Sequence, residues 1–312
     1  FVLPNQRDLK SAHPRARRGK ANSSRACFWH RIFLLSAGQA PLKLGGMTKL
    51  ATLPLAFLGA TLGLLDPMHA APPPEFLPPP PAGRTWKLIW QDEFDGPQLD
   101  ESKWNRMGDW KRRDGYWVKE DAYLSGQGTL LLRIKKDGDR YTCGAVNTRE
   151  KFEHAFGYYV ARCKAPKEPG HWPAFWMMGA GVSKVGNDGR DGTEIDIMEM
   201  PWRNGKVTFN LHWDGYGKDH KSAGTNTTIP ALMEGFHDYA LLWTPDEYVF
   251  YVDGKEVWRT KAGGVSQVPQ FLKLTEEIGK WGGDITRAKL PDYFEVDFVR
   301  VYEAGNSPPR LP

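Results

Sequence analysis

Helical periodicity is almost missing from this sequence. Apolar residues spaced three and four apart gather only in one short turn near 230–235, which leaves a helical fold without support. Cysteine is scarce, with three in 312 residues. No glycine-rich phosphate loop and no nucleophile-elbow serine motif is present. His171 and His220 have no ligand partners at zinc spacing, so catalytic zinc is not indicated. A surplus of one charge is also lacking where it would count. The formal net charge of +5 rests largely on residues 7–25, where Arg7, Lys10, Arg15, Arg17, Arg18, Lys20 and Arg25 face one acid, Asp8. The remainder is near neutral, which argues against a nucleic-acid partner.

The chain begins with Phe1, and nothing in residues 1–46 has the periodicity to bury a face. From Met47 the text changes to Met47-Thr-Lys49, a mostly apolar run over Leu50–Leu65, then Met68-His-Ala-Ala71. Basic start, apolar centre and small-residue end form the pattern of a secretory leader. Translation is therefore expected to start at Met47, with 1–46 an upstream extension, 47–70 a signal peptide and the mature protein secreted or periplasmic. The alternative is a short membrane anchor, but the run is shorter than the ~20 residues of a span and Pro67 follows it. No stable membrane association is expected after cleavage. The proline-rich stretch 71–84 reads as an extended linker. Only Cys143 and Cys163 lie beyond it; a cross-strand disulfide and two buried thiols both fit.

What the chain does have is aromatic residues and turn formers: 13 Trp, 11 Tyr, 15 Phe, 33 Gly and 24 Pro. Short runs that favour strands recur at regular spacing, bounded by turn signals. Thr129–Ile134 ends at Lys136-Asp-Gly-Asp139, and Tyr248–Val252 meets Asp253-Gly254 and Glu256-Val-Trp258 in a strong hairpin signal. Cys143–Arg149 and Gly157–Lys164 look like another hairpin. Lys206–Trp213, Tyr239–Thr244, Phe271–Thr275 and Phe294–Tyr302 complete the series. The pattern predicts an all-β fold, an antiparallel sandwich over 85–303 with a short tail at 304–312.

The stretch Glu194-Ile-Asp-Ile-Met-Glu199 stands out. Acids are depleted from strands, and like charges on one face repel. Strict alternation puts Glu194 and Asp196 on one face and Glu199 on the other. One β-bulge between Asp196 and Glu199 brings all three into phase. Two carboxyl groups about 5–5.5 Å apart are what a retaining glycosidase needs. A solvated acidic edge or a calcium site is the alternative, but Ile195, Ile197 and Met198 suit a central strand, and calcium usually draws its acids from loops.

Further segments flank this motif: Trp90-Gln-Asp-Glu-Phe-Asp95, Gly170-His-Trp-Pro-Ala-Phe-Trp-Met-Met178, Trp243-Thr-Pro with Tyr251-Val-Asp-Gly254, and Glu295-Val-Asp-Phe-Val-Arg-Val-Tyr302. In this order, over roughly 85–303, the chain resembles glycoside hydrolase family 16, in its bulged E-x-D-x-x-E branch of laminarinase- and agarase-like members. The resemblance implies a jelly-roll (concanavalin A-like) sandwich with a concave cleft. It implies Glu194 as nucleophile, Glu199 as acid and then base, and Asp196 between them. It implies a secreted endo-β-glycanase, with β-1,3-glucan or mixed-linkage glucan as polymer and agar, porphyran or carrageenan as the alternative. A non-catalytic carbohydrate-binding protein is the rival from another class. The expected partner is the polysaccharide, the expected state a monomer, and no cofactor is expected for catalysis.

Indole rings stack on sugar faces, so Trp176 and Trp172 are expected as cleft walls, with core packing the alternative for Trp172 and Trp243. Trp117, Trp281, Trp110 and Trp213 are candidates for outer subsites; Trp90, Trp104 and Trp258 read as structural. The resemblance places His212 near the acid/base. Lys111, Arg112, Arg113 and Arg149 would matter for a sulfated galactan, with Arg149 carried as a substrate-binding residue. Glu93 and Asp297 sit where some members hold a structural calcium. Two segments, Leu211-His-Trp-Asp-Gly-Tyr-Gly217 and Trp281-Gly-Gly283, differ from the forms associated with laminarinases.

Overall fold

The computed structural model describes residues 76–306, all within one compact unit. The expected extension 1–46 and leader 47–70 lie outside the described residues. Among those described, helical structure is limited to 3₁₀ turns, such as Pro230–Met233 at the single turn expected there. No helix among them is long and apolar enough to cross a membrane.

The strands form two sheets. The larger runs, in spatial order, Lys255–Thr260, Tyr248–Val252, His237–Trp243, Gly157–Lys164, Asp292–Asn306, Leu130–Asp137, Arg140–Cys143, Gly115–Trp117 and Trp110–Arg112. Arg84–Asp92 also pairs with Asp292–Asn306, and Ala122–Leu124 with Leu130–Asp137. The smaller sheet runs Lys221–Thr228, Lys206–Trp213, Glu194–Glu199, His171–Gly179, Gln270–Ile278, Ala145–Asn147 and Asn105–Arg106. Pairing is antiparallel except between Gly115–Trp117 and Arg140–Cys143. This is the antiparallel sandwich that the strand pattern predicts.

Alternation decides which residues fill the space between the sheets. Phe175, Met177, Ile195, Phe209, Leu211, Leu272 and Leu274 come from the smaller sheet. Tyr159, Ala161, Cys163, Tyr239, Leu241, Val299 and Val301 meet them from the larger. Because inward residues take every second position, the intervening side chains of the smaller sheet must face out, and these build the cleft.

Several expectations change. Cys143–Arg149 and Gly157–Lys164 do not form a hairpin: Ala145–Asn147 pairs with Gln270–Ile278 in the smaller sheet, and Gly157–Lys164 lies in the larger. An apolar alternating run identifies a strand but not its partner. Cys143 and Cys163 are buried free thiols in separate apolar clusters. The described part of the proline-rich stretch is docked rather than extended free. Phe76 packs 5.8 Å from Phe298, its carbonyl accepts from the Tyr158 hydroxyl at 2.7 Å, and the Trp86 indole donates to the Pro78 carbonyl at 2.7 Å. Residues 304–306 are not tail but strand, pairing with 84–86.

Candidate active site

The central feature is the bulge. Phe175 pairs with Met198 but Trp176 with Asp196, so Ile197 is the extra residue, and the ladder to Lys206–Trp213 shifts between Asp196 and Glu199. Ile197 and Met198 are both wholly buried in the core. Two successive inward residues return Glu199 to the outward face beside Glu194 and Asp196.

Cross-strand register then arranges the cleft floor in rows. His212, Glu194, Met178 and Phe271 form one; Asn210, Asp196, Trp176 and Lys273 the next; Thr208, Glu199, Ala174 and Thr275 the third. The cleft above them holds about 400 Å³.

Glu199 is 6 % exposed. One carboxyl oxygen accepts from the Trp172 indole at 2.8 Å and the other from the Asn210 amide at 2.6 Å. Burial, and then the Asp196 charge, push its pKa well above the usual carboxylate range, against the opposing pull of those two donors. Such a group keeps its proton where an ordinary glutamate would not. Asp196 is also pushed up, by burial and by Glu194; it is 4 % exposed and its Oδ2 lies 3.4 Å from His212 Nε2. His212 Nδ1 meets His220 Nε2 at 2.9 Å. Glu194 is more open, and the Tyr216 hydroxyl donates to its Oε2. The arrangement sets a buried carboxyl group disposed to hold a proton and a more open one on the same strand face, with a third between them in sequence and register.

Tryptophans form one wall. Trp172 and Trp281 meet edge to face at 4.5 Å between centroids, and Trp202 abuts Trp281 at 5.1 Å. Trp176 lies on the floor, its indole donating to Thr275 Oγ1 at 3.0 Å. Cations cover two of these rings: Arg113 over Trp172 at 4.0 Å and Lys273 over Trp176 at 3.5 Å. Arg112 and Arg113 both pair with Glu277, which is nearly buried.

The structure thus brings together Glu194, Asp196, Glu199, Trp172, Trp176, Trp281 and His212. It does not bring the others. Trp117 is core: it is 3 % exposed and its indole donates to the Glu276 carbonyl at 2.8 Å. Arg149 does not line the cleft; it lies near Glu150 and over Phe271. Trp213 is buried and Trp110 leans edge-on against Trp117. Glu93 gives both oxygens to Arg300 at 2.7 Å, while Asp297 lies 3.4 Å from Arg162. Arg162 is shared between Asp297 and Asp238, which lies 3.3 Å away.

Asn210, Tyr216, His220, Thr275 and Glu277 line the cleft without having been anticipated. Asn210 was within reach, since it shares the outward phase of His212 two residues on. Glu277 was hidden because the predicted strand stopped at Thr275, whereas it runs to Ile278.

The model of glycosyl hydrolases family 16 matches residues 111–300. A keratan-sulfate endo-1,4-beta-galactosidase of Sphingobacterium multivorum is 32 % identical over 243 residues, covering 70 % of this chain and 55 % of its own length. A glucan endo-1,3-beta-glucosidase A1 of Niallia circulans is 29 % identical over 274 residues, covering 72 % of this chain and 39 % of its own. The chain therefore spans about half or less of those two relatives. The crystal structure of a laminarinase from Flavobacterium sp. UMI-01 superposes with a TM-score of 0.59 at 30 % identity, over 70 % of this chain and all of that one. With its bulged carboxylate strand and jelly-roll sandwich, the chain belongs to glycosyl hydrolases family 16.

Proposed function

We propose that this chain is a retaining endo-β-glycanase and that β-1,3-glucan is its polymer. The observation that carries the reaction type is the pair formed by Glu194 and Glu199. Glu194 is accessible and takes a hydrogen bond from Tyr216; Glu199 is buried and disposed to hold a proton. In the first step Glu194 attacks the anomeric carbon while Glu199 protonates the departing glycosidic oxygen. In the second, Glu199 takes a proton from water, the water oxygen attacks the same carbon, and the bond to Glu194 breaks. Asp196, whose pKa burial and the Glu194 charge push up, lies beside the nucleophile, and Tyr216 orients the attacking carboxylate.

The tryptophan wall and the likeness to a laminarinase support the glucan reading. Export, read from 47–70, fits a polymer too large to enter a cell. A second reading has its own support. Arg112 and Arg113 line the cleft, and one relative acts, by its description, on keratan sulfate. An anionic galactan is the polymer those arginines favour.

The test is product release from laminarin, mixed-linkage glucan, agarose, porphyran and carrageenan by the chain and its Glu194→Ala variant. Laminarin cleavage lost in the variant supports both polymer and mechanism. Cleavage of a galactan alone replaces the polymer and keeps the mechanism. Equal activity in the variant rejects the mechanism.

A further inference from the structure

We propose that the nucleophile side of the cleft is also a zinc site, formed by Glu194, Asp196 and His212, through which the metal reversibly blocks the enzyme. One ligand atom from each of these three residues lies within 4.8 Å of the others. Four-coordinate zinc with ligands at about 2.0–2.2 Å spaces neighbouring donors by about 3.3–3.5 Å. Asp196 Oδ2 and His212 Nε2 already stand at 3.4 Å. Glu194, a half-buried side chain open to the cleft, must exchange its contact with the Tyr216 hydroxyl for the metal and swing inward.

Two further features point to a ligand here. The Asp196 carboxylate is more than nine-tenths buried yet accepts no hydrogen bond among the described residues, its contact being the imidazole. That imidazole is already oriented, because His220 engages its Nδ1 at 2.9 Å and leaves Nε2 for the carboxylates. An outer partner on the far nitrogen is the usual support of a metal-bound histidine. The donor set decides the ion. One imidazole and two carboxylates suit zinc, whereas calcium seeks six or more oxygens. Three protein ligands leave a fourth position facing the cleft, which water can fill.

Zinc held there takes the lone pairs of Glu194 that would attack the sugar, so bound metal and cleavage exclude each other. This regulatory consequence rests on the function proposed above; the binding itself does not.

The experiment titrates the EDTA-stripped, desalted chain with zinc chloride by calorimetry and with cobalt(II) by visible absorption. Zinc inhibition is then measured on whichever polymer is cleaved. The expected result is one zinc per chain, a four-coordinate cobalt spectrum, and inhibition competitive with the polymer and reversed by chelator. Glu194→Gln and His212→Gln should each weaken binding at least about tenfold. His237 pairs with Asp253 at 2.8 Å elsewhere on the surface, so His237→Gln should leave the titration unchanged. Binding that survives the first two variants, or is lost in His237→Gln, overturns the site. Binding that behaves as expected without inhibition overturns the regulatory role. If no polymer is cleaved, the function proposed above fails while calorimetry and cobalt absorption still decide the site.

Discussion

Replacing Trp172 by Phe removes the indole N–H from the site and keeps an aromatic ring for Arg113 and Trp281 to pack on. The lost donor is the indole N–H that reaches Glu199 at 2.8 Å, a contact that pulls the carboxyl pKa down. A hydrogen bond to an ionised group is worth about 1.5–3 kcal/mol, and one to a neutral group about 0.5–1.5 kcal/mol. The difference, roughly 1–1.5 kcal/mol, corresponds to about one pH unit. Glu199 acts first as a protonated acid, so activity is lost as pH rises through its titration. Removing a donor that favours the anion must move that limb upward. The pH profile of kcat/KM, which reports the free enzyme, should therefore keep its acid limb and extend its alkaline limb by about one unit. An unmoved alkaline limb, or one displaced downward, would refute the assignment of Glu199 as the acid held by Trp172.

Three further outcomes can be checked. Lys273 is 7 % exposed with no ion pair among the described residues, and burial, then Arg112, push its pKa down to about 7. Between that value and the unfolded one near 10.4 the unfolded chain binds the extra proton, so this group makes stability rise with pH. Lys273→Met should therefore raise Tm more at pH 6 than at pH 9.5, by scanning fluorimetry, and a gain that grows with pH would contradict this. Phe76→Ala strips the ring from Phe298 and Tyr302 and should cost about 1–2 kcal/mol in urea unfolding; an unchanged midpoint would mean the segment is not docked. Deleting Ile197 removes the bulge but leaves the three acids two apart, all on one face. The folded deletion variant should cleave polymer above the Glu194→Ala level, and a folded but inert one would mean that phase alone is not enough.

Legibility differed from residue to residue for physical reasons. The bulge could be read because three acids in six residues are costly unless they serve one face, and only one extra residue reconciles E-x-D-x-x-E with alternation. Trp172 and Trp176 are placed by the family resemblance of the segment that precedes that strand. Trp117 could not, because an indole on the outward phase looks the same in sequence whether sugar or protein covers it. Here Trp110 and Arg112 lie against it. Arg112 and Arg113 read locally as a basic run, but their shared partner Glu277 is more than 160 positions away, and pairing at that distance leaves no local signal. The same limit hid the true partner of Ala145–Asn147. Tyr216 sits in the connection between Lys206–Trp213 and Lys221–Thr228. The text of that loop departs from the laminarinase form, but its reach back to Glu194 appears only in three dimensions.

Azide rescue tests the division of labour between Glu194 and Glu199 most directly. An aryl β-glycoside of the polymer that the enzyme cleaves would be offered to Glu194→Ala and to Glu199→Ala with sodium azide. With Glu194 gone, azide fills its place and displaces the aryl group from the opposite face, so the product should be the α-glycosyl azide. With Glu199 gone, the glycosyl–Glu194 intermediate still forms and azide replaces water, so the product should be the β-glycosyl azide. The reverse pattern, or rescue of neither variant by azide in folded protein, would contradict the assignment of nucleophile and acid.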